Sequence, residues 1–147
     1  MNNALIDKIH QINYLTSELD ALYHQASLKI VMADSTMRVL YALHDNGENC
    51  PLSYIYKQSG ISKQTVNSAL RKLEKDGIVY LKQYKGNAKM VFLTEKGKQY
   101  VSDTVVRLCD AEIRAFESWT EDEIDAHISL MAKYLESFRE QTSVLSR

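Results

Sequence analysis

Cysteine is nearly absent from the 147 residues: Cys50 and Cys109 stand alone, far apart and outside any C-x-x-C spacing. That argues against a disulfide framework or a cysteine-based metal site and leaves reduced thiols as the expectation. Glycine is scarce as well, with five residues, all at expected turns or caps. None forms a phosphate loop or a dinucleotide fingerprint. No G-x-S-x-G elbow occurs, and the serines fall at caps and on helix faces, so no nucleophile has a base beside it. With no constellation that fills the roles of nucleophile, base and oxyanion donor, neither catalysis nor a bound cofactor is expected. There is no long uncharged apolar run. The amino-terminal MNNALIDKIHQ lacks the charged, apolar and small-residue succession of a secretion signal, so a cytoplasmic protein with no membrane partner is expected.

What is present is a 45% hydrophobic composition, sufficient for one compact domain, alone or with an oligomerisation arm. The net charge of −1 hides a strong division. Residues 1–56 hold three basic side chains against six acidic, residues 57–98 ten against three, and the remainder five against ten. Positive charge is therefore concentrated in the middle third, as a phosphate-binding surface requires.

At the centre of that basic third lies ISKQTVNSALRKLEKDG, residues 61–77. Ser62 is placed to cap a helix and Gly77 to stop it after Asp76. Val66, Ala69, Leu70 and Leu73 recur on one face, which must turn toward a core. The opposite face carries Lys63, Gln64, Asn67, Ser68, Arg71, Lys72 and Lys75. Such side chains suit base edges and phosphates: Arg pairs with guanine, Gln or Asn with adenine, and Lys or Ser with phosphate oxygens. An ordinary solvated helix face would look the same, so the neighbouring segments decide. Upstream, PLSYIYKQS (51–59) puts Pro51 at a first helical position, and Gly60 supplies the turn of a helix-turn-helix. Downstream, the β-prone runs 78–84 and 88–93 flank Lys85-Gly86-Asn87, a hairpin tip. Candidate DNA contacts are thus Ser62, Lys63, Gln64, Thr65, Asn67, Ser68, Arg71 and Lys72 on the helix, with Lys82, Lys85, Asn87 and Lys89 on the hairpin.

The flanks are helical. From Ala4 to Ala26 a seam of Leu5, Ile9, Ile12, Leu15, Leu19, Leu22 and Ala26 has no internal Gly or Pro. About 35 Å of helix exceeds what a small core needs, so part of the seam is expected to meet another chain. Asp34 or Ser35 is expected to cap a second helix that buries Met37, Val39, Leu40 and Leu43 and stops near Asn46-Gly47, with residues 47–50 as a turn. Thr94 should cap a helix that carries Val101, Val105, Leu108 and Phe116 inward, and Thr120-Glu121-Asp122-Glu123 fits a capping box. In the last helix Ile124, Ile128, Met131, Leu135 and Phe138 step by four and three, with Leu145 continuing the register. Leu5, Ile9, Ile12, Ile128, Met131, Leu135 and Phe138 are the candidate dimerisation residues.

Two long flanking helices around helix-turn-helix and wing form a layout that resembles MarR-type winged helix-turn-helix regulators. SGISKQTVNSALRKLEKDGIV resembles that family's recognition helix and its exit, and FLTEKGKQYV the segment after its wing. The resemblance covers nearly the whole chain. It implies a mainly α fold with a two-stranded wing, a single domain over 1–147, dimerisation helices at about 4–30 and 99–145, and a winged helix-turn-helix at about 34–98. It also implies a homodimer on double-stranded, pseudo-palindromic DNA, acting as repressor or activator. A pocket for a small aromatic or anionic effector would lie between dimer arm and winged domain, with Tyr14, Tyr23, Tyr41, Tyr54 and Tyr56 as candidate lining. One departure stands out: the family's wing Asp-x-Arg is replaced by Lys85, Gly86 and Asn87, so minor-groove readout by Arg is lost and Lys85 and Lys89 are left for phosphates.

Alternatives from other classes are a winged-helix protein-interaction module and a redox- or metal-sensing regulator. The histidines His10, His24, His44 and His127 are dispersed, and only folding can gather His24 and His44 with Asp34 or Glu48 around zinc. Cys109, beside Asp110 and Glu112, is expected to be buried and inert, and Cys50 in its turn to be the more exposed thiol.

Overall fold

The computed structural model describes residues 2–145 as seven helices and three strands among those residues. Residues through Leu108 form one compact unit and those from Cys109 onward another. In the first unit α1 (Asn3–Lys29) leads to α2 (Asp34–Asp45), β1 (Asn49–Pro51), α3 (Leu52–Gln58) and α4 (Lys63–Lys75). The hairpin β2 (Val79–Gln83) and β3 (Lys89–Leu93), then α5 (Glu95–Asp103), follow. α6 (Val105–Phe116) begins in the first unit and ends in the second, which holds α7 (Glu121–Ser143).

The core of the first unit is built from the faces that periodicity marks. Val39, Leu40 and Leu43 of α2 are fully buried, as are Ile55 of α3 and Val66 of α4. Ala69, Leu70 and Leu73 complete the inward stripe of α4. Truncating one of the buried leucines would cost about 2–5 kcal/mol by analogy with other cores. Val79, Val91 and Leu93 close the core from the sheet side, and Val101, Val105 and Leu108 from α5 and α6.

The sheet has three antiparallel strands in the order β1-β3-β2, so the wing hairpin gains a third strand where a turn over 47–50 was expected. Cys50 lies opposite Val91 and both are fully buried, while Pro51 lies opposite Met90. Pro is tolerated at such an edge because the strand ends there and its outer side has no ladder bond to make. Pro51 is accordingly the last strand residue and the N-cap of α3, not that helix's first residue. In the wing proper Tyr80 faces Phe92 and Leu81 faces Val91. Ala88 N–H donates to the Lys85 carbonyl at 2.9 Å to close the tip.

Three helix ends differ from expectation. The N-cap of α2 is Ala33, whose side chain offers no acceptor, and Asp34 stands one place inside, where its carboxylate still meets the positive end of the helix. Residues 95–116 break into two helices at Thr104, which is buried and returns its hydroxyl to the Tyr100 carbonyl at 2.6 Å. Thr104, Val105 and Val106 are consecutive β-branched residues, a local weakness that the back-bonded hydroxyl exploits. Phe116 is correspondingly exposed at 39% and packs edge-on against Trp119. Leu145 lies beyond the end of α7 and does not extend its stripe. The carboxyl end of α1 is closed by a Schellman motif, with Met32 N–H to the Ser27 carbonyl at 3.0 Å and Val31 N–H to that of Leu28 at 3.1 Å. That motif wants a left-handed residue, normally Gly, and here Val31 supplies it at φ 53.

The other caps match expectation. Ser62 accepts from Thr65 N–H, Thr94 from Gly97 N–H, and Thr120 and Glu123 make the reciprocal capping box. No helix among the described residues is long and apolar enough to cross a membrane.

Candidate nucleic-acid interface

Burial of Val66, Ala69, Leu70 and Leu73 fixes the rotation of α4 about its axis. At about 100° per residue, Gln64, Ser68, Arg71 and Lys75 then lie opposite the core, with Lys63 and Asn67 on one flank and Thr65 and Lys72 on the other. All of these are exposed except Asn67, which is half-buried. Ser62 at the cap shares a 2.8 Å hydroxyl contact with Thr65. Arg71 Nη2 donates to Ser68 Oγ at 3.3 Å, a long bond that leaves the rest of the guanidinium fork unengaged by it.

Asn67 is not simply an outward amide. The hydroxyl of Tyr56, on α3, donates to its Oδ1 at 2.6 Å, and Lys63 Nζ lies 5.3 Å above the same tyrosine ring. α3 thereby organises one flank of α4. No periodicity or motif signals this link, because it joins residues on different elements.

The wing presents a different chemistry. Tyr80 and Phe92 stack at 5.0 Å on the outer face of the sheet, and Lys82 Nζ lies 5.6 and 5.8 Å from their centroids. Lys85 Nζ sits 5.7 Å over the ring of Tyr84. Such contacts hold an ammonium by the ring quadrupole while leaving it hydrated and accessible. Lys85, Asn87 and Lys89 are exposed around the tip, and Gln83 Nε2 donates to the Gly86 carbonyl at 2.6 Å, bracing the loop.

The exit of α4 is tied to the start of α5. Gly77 takes φ 74, and Ile78 N–H reaches back to the Leu73 carbonyl at 2.9 Å. Thr94 Oγ1 reaches the Gly77 carbonyl at 2.5 Å, and Lys96 Nζ donates to the Asp76 carbonyl at 2.8 Å. Gly97, in the first turn of α5, has no room for a side chain, since a Cβ there would collide with the Ile78 carbonyl. Neither Lys75 nor Lys96 was among the candidate contacts; the polar face of the helix included Lys75, and the charge count in 57–98 was the one signal that included Lys96.

Beside this junction is a cavity of about 360 Å³ lined by Val31, Met32, Thr36, Lys72, Leu73, Asp76, Ile78, Lys96 and Tyr100 among others. None of the five expected tyrosines lines it. Tyr54 instead donates to Asp45 Oδ2 at 2.9 Å, Tyr56 to Asn67, and Tyr14 is exposed. Lys72 belongs to the cavity wall as well as to the flank of α4.

The order of the two thiols is the reverse of the expectation. Cys50 is fully buried against the sheet, and burial pushes its pKa up to about 11, whereas Cys109 is half-buried. A short turn gave no sign that Cys50 would enter the core as a strand residue. Among the described residues no three His, Cys, Asp or Glu side chains converge as a metal site, so His24 and His44 are not gathered with Asp34 and Glu48.

The candidate dimerisation residues are accessible in the single chain. Leu5, Ile9 and Ile12 on α1 and Ile128, Met131, Leu135 and Phe138 on α7 are 43% to 59% exposed. α7 buries no residue at all, although its apolar stripe is continuous.

Comparison with known proteins places this geometry. Residues 32–85 match the family model described as MarR family. A MarR-family regulator from Neisseria meningitidis superposes with a TM-score of 0.77 at 16% identity, covering 92% of this chain and 98% of that one. A MarR-family transcriptional regulator from Silicibacter pomeroyi gives 0.69 at 19% identity over 88% of each chain. The regulator BpsR of Bordetella bronchiseptica, whose DNA binding is regulated by 6-hydroxynicotinic acid, gives 0.63 at 20% identity, covering 84% of this chain and 97% of that one. A search of curated proteins finds no match. Residues 32–85 thus match the MarR family model, and the described chain shares the winged helix-turn-helix fold of solved MarR-family regulators.

Proposed function

We propose that the chain is a homodimeric, cytoplasmic transcription regulator that reads a pseudo-palindromic operator with α4, contacts flanking phosphates with its wing, and answers to a small effector. The observation that carries the reading is the outward face of α4. Gln64, Ser68, Arg71 and Lys75 stand opposite a fully buried stripe, in the one part of the chain where basic residues outnumber acidic ten to three. Base-edge readers flanked by phosphate-binding lysines are what sequence-specific recognition needs. Ser62, Lys63, Thr65, Asn67 and Lys72 complete the helix side of the interface, and Lys82, Lys85, Asn87 and Lys89 the wing side.

One recognition helix makes few base contacts, and a two-fold dimer doubles them on half-sites about one helical turn apart. The exposed stripes of α1 and α7 support that dimer, since contiguous apolar seams of this length are costly in water. The chain then works as a single MarR-like domain whose arms, about 4–30 and 99–145, pair with those of a second copy.

The cavity beside α4 supports an effector with an apolar body and an acidic group. Met32, Leu73 and Ile78 supply apolar wall, while Lys72 and Lys96, against the single carboxylate of Asp76, leave a net positive charge. The regulation of BpsR by 6-hydroxynicotinic acid is a parallel in a protein of similar fold. An effector acts only by binding the DNA-competent and incompetent arrangements unequally.

The test is selection of bound duplexes from a random pool, followed by affinity of the winning site against salt. A pseudo-palindrome with half-sites about ten base pairs apart and a steep salt slope is expected. No enriched site, or an affinity indifferent to salt, would overturn the reading in favour of a protein-interaction module.

A further inference from the structure

A free asparagine on a recognition helix is ambidextrous: Nδ2 donates to adenine N7 while Oδ1 accepts from adenine N6, which makes adenine its natural partner. Asn67 is not free. Tyr56 Oη, on the preceding helix, donates to Asn67 Oδ1 at 2.6 Å in a part-buried bond. The tyrosine is itself held, half-buried on α3 with Lys63 Nζ 5.3 Å above its ring. Because a side-chain amide is planar, fixing Oδ1 toward α3 fixes Nδ2 on the opposite side, away from α3. With one lone pair of Oδ1 taken and the oxygen turned toward α3, what Asn67 presents to a duplex is chiefly its Nδ2 donor.

We infer that Tyr56 is a specificity-determining residue that holds Asn67 as a donor, so that the base pair facing Asn67 is read as guanine in preference to adenine. This rests on the DNA-binding reading above. Guanine presents two neighbouring acceptors, N7 and O6, to a single amide N–H₂ group. Adenine presents N7 beside its own N6–H₂ donor, which meets Nδ2–H donor to donor once Oδ1 is turned away. Tyr56 touches no base in this scheme; it is a positioning residue acting through Asn67.

The test compares sites selected from a random duplex pool by the full-length wild type, Asn67→Ala and Tyr56→Phe. Asn67→Ala locates the position, since the base preference there flattens. Wild type is expected to prefer guanine over adenine at that position by roughly fivefold, the scale of one net hydrogen bond. Tyr56→Phe keeps the ring under Lys63 and removes only the hydroxyl, so Asn67 regains its bidentate option. The guanine-to-adenine ratio should then fall by about tenfold or more, with other positions and the salt slope unchanged. A purely structural tyrosine would lower affinity at every position alike and leave the ratio where it was.

An A·T pair favoured over G·C at that position in wild type overturns the inference, as does a G·C preference that survives Tyr56→Phe, or an Asn67→Ala profile that flattens nowhere. Should Tyr56→Phe fail to fold, by its helical circular dichroism, the wild-type preference alone decides between guanine and the other bases. No enriched site for any of the three proteins is a separate failure, that of the DNA-binding reading itself, and the inference falls with it.

Discussion

Gly97→Ala exposes how α4 is anchored. A methyl group at position 97 would overlap the Ile78 carbonyl oxygen and stand 3.0 Å from its carbon and 3.2 Å from Leu93 Cδ2. Carbon atoms rest comfortably at about 3.5–4.0 Å, so α5 and the start of β2 must part by on the order of 1 Å. That movement strains Thr94 N–H to the Ile78 carbonyl at 3.0 Å and Gly97 N–H to Thr94 Oγ1 at 2.9 Å. Three effects compete. Ala favours the helix by about 1 kcal/mol over Gly, overpacking costs about 1–3 kcal/mol, and each weakened hydrogen bond costs about 1 kcal/mol. The sum is a loss of about 2–4 kcal/mol. Urea unfolding followed by helical circular dichroism measures it, at one fixed protein concentration because association contributes to apparent stability. Ser102→Ala, exposed on the same helix, is the control and should stay within about 0.5 kcal/mol of wild type. A Gly97→Ala protein as stable as the control would refute the close approach.

Val31→Gly should act in the opposite sense, gaining about 0.5–1 kcal/mol in the same titration, because Val31 is 87% exposed and held at φ 53, where a β-branched residue is strained by about 1–2 kcal/mol and Gly is not; a loss of stability would contradict that strain. Cys50 should resist a thiol reagent in the folded protein while Cys109 reacts, read by mass spectrometry of peptides. Its thiol, ordinarily near 9.0 and raised to about 11 by burial, is neutral in the fold while the unfolded chain ionises, so stability should fall as pH rises through that window, by roughly 2–3 kcal/mol at full extent. The same alkaline decline in Cys50→Ala would remove the assignment. Arg71→Ala should relax sequence preference at one position at a cost of about 1–3 kcal/mol, whereas Lys89→Ala should weaken all sequences alike and reduce the salt slope by about one; equal behaviour of the two in binding assays would undo the division between helix and wing. Ile9→Asp, and separately Leu135→Asp, should shift the sedimentation of the protein toward the monomer, and an unchanged dimer in both would remove these seams from the interface.

Much of the fold was legible because its determinants are local. Ser62 and Gly77 bracket α4, Thr94 and Thr120 start their helices, and the four- and three-residue steps of Val66, Leu70 and Leu73 reveal a face without any knowledge of its partner. What sequence could not show depends on contacts at long range. Three residues at Asn49–Pro51 are too few for a visible alternation, and they are a strand only because β3 offers an edge, which also carried Cys50 inward. The break at Thr104 rests on one buried hydroxyl, and the cavity on residues from the turn after α1, from α2, from α4 and its exit, and from α5, which no spacing connects. For the interface, the charge division and the polar face were readable, but the engagement of Asn67 by Tyr56 was not, since an asparagine looks the same in sequence whether or not its oxygen is occupied.

Thr94 and Lys96 bond to the carbonyls of Asp76, Gly77 and Ile78 just past the end of α4, and so tie α4, the wing and the start of α5 into one piece. A stiff reader separates two kinds of information. The letters it accepts would be set within the piece by Gln64, Asn67 and Arg71, none of which lines the cavity proposed for the effector, although Lys72 borders both. The distance between two such pieces in the proposed dimer is set elsewhere, by the arms. An effector of this protein would therefore change the operator spacing that is tolerated and leave the half-site alphabet as it is, so that an operator with a one-base-pair insertion between half-sites would respond to the ligand differently from one with a changed letter.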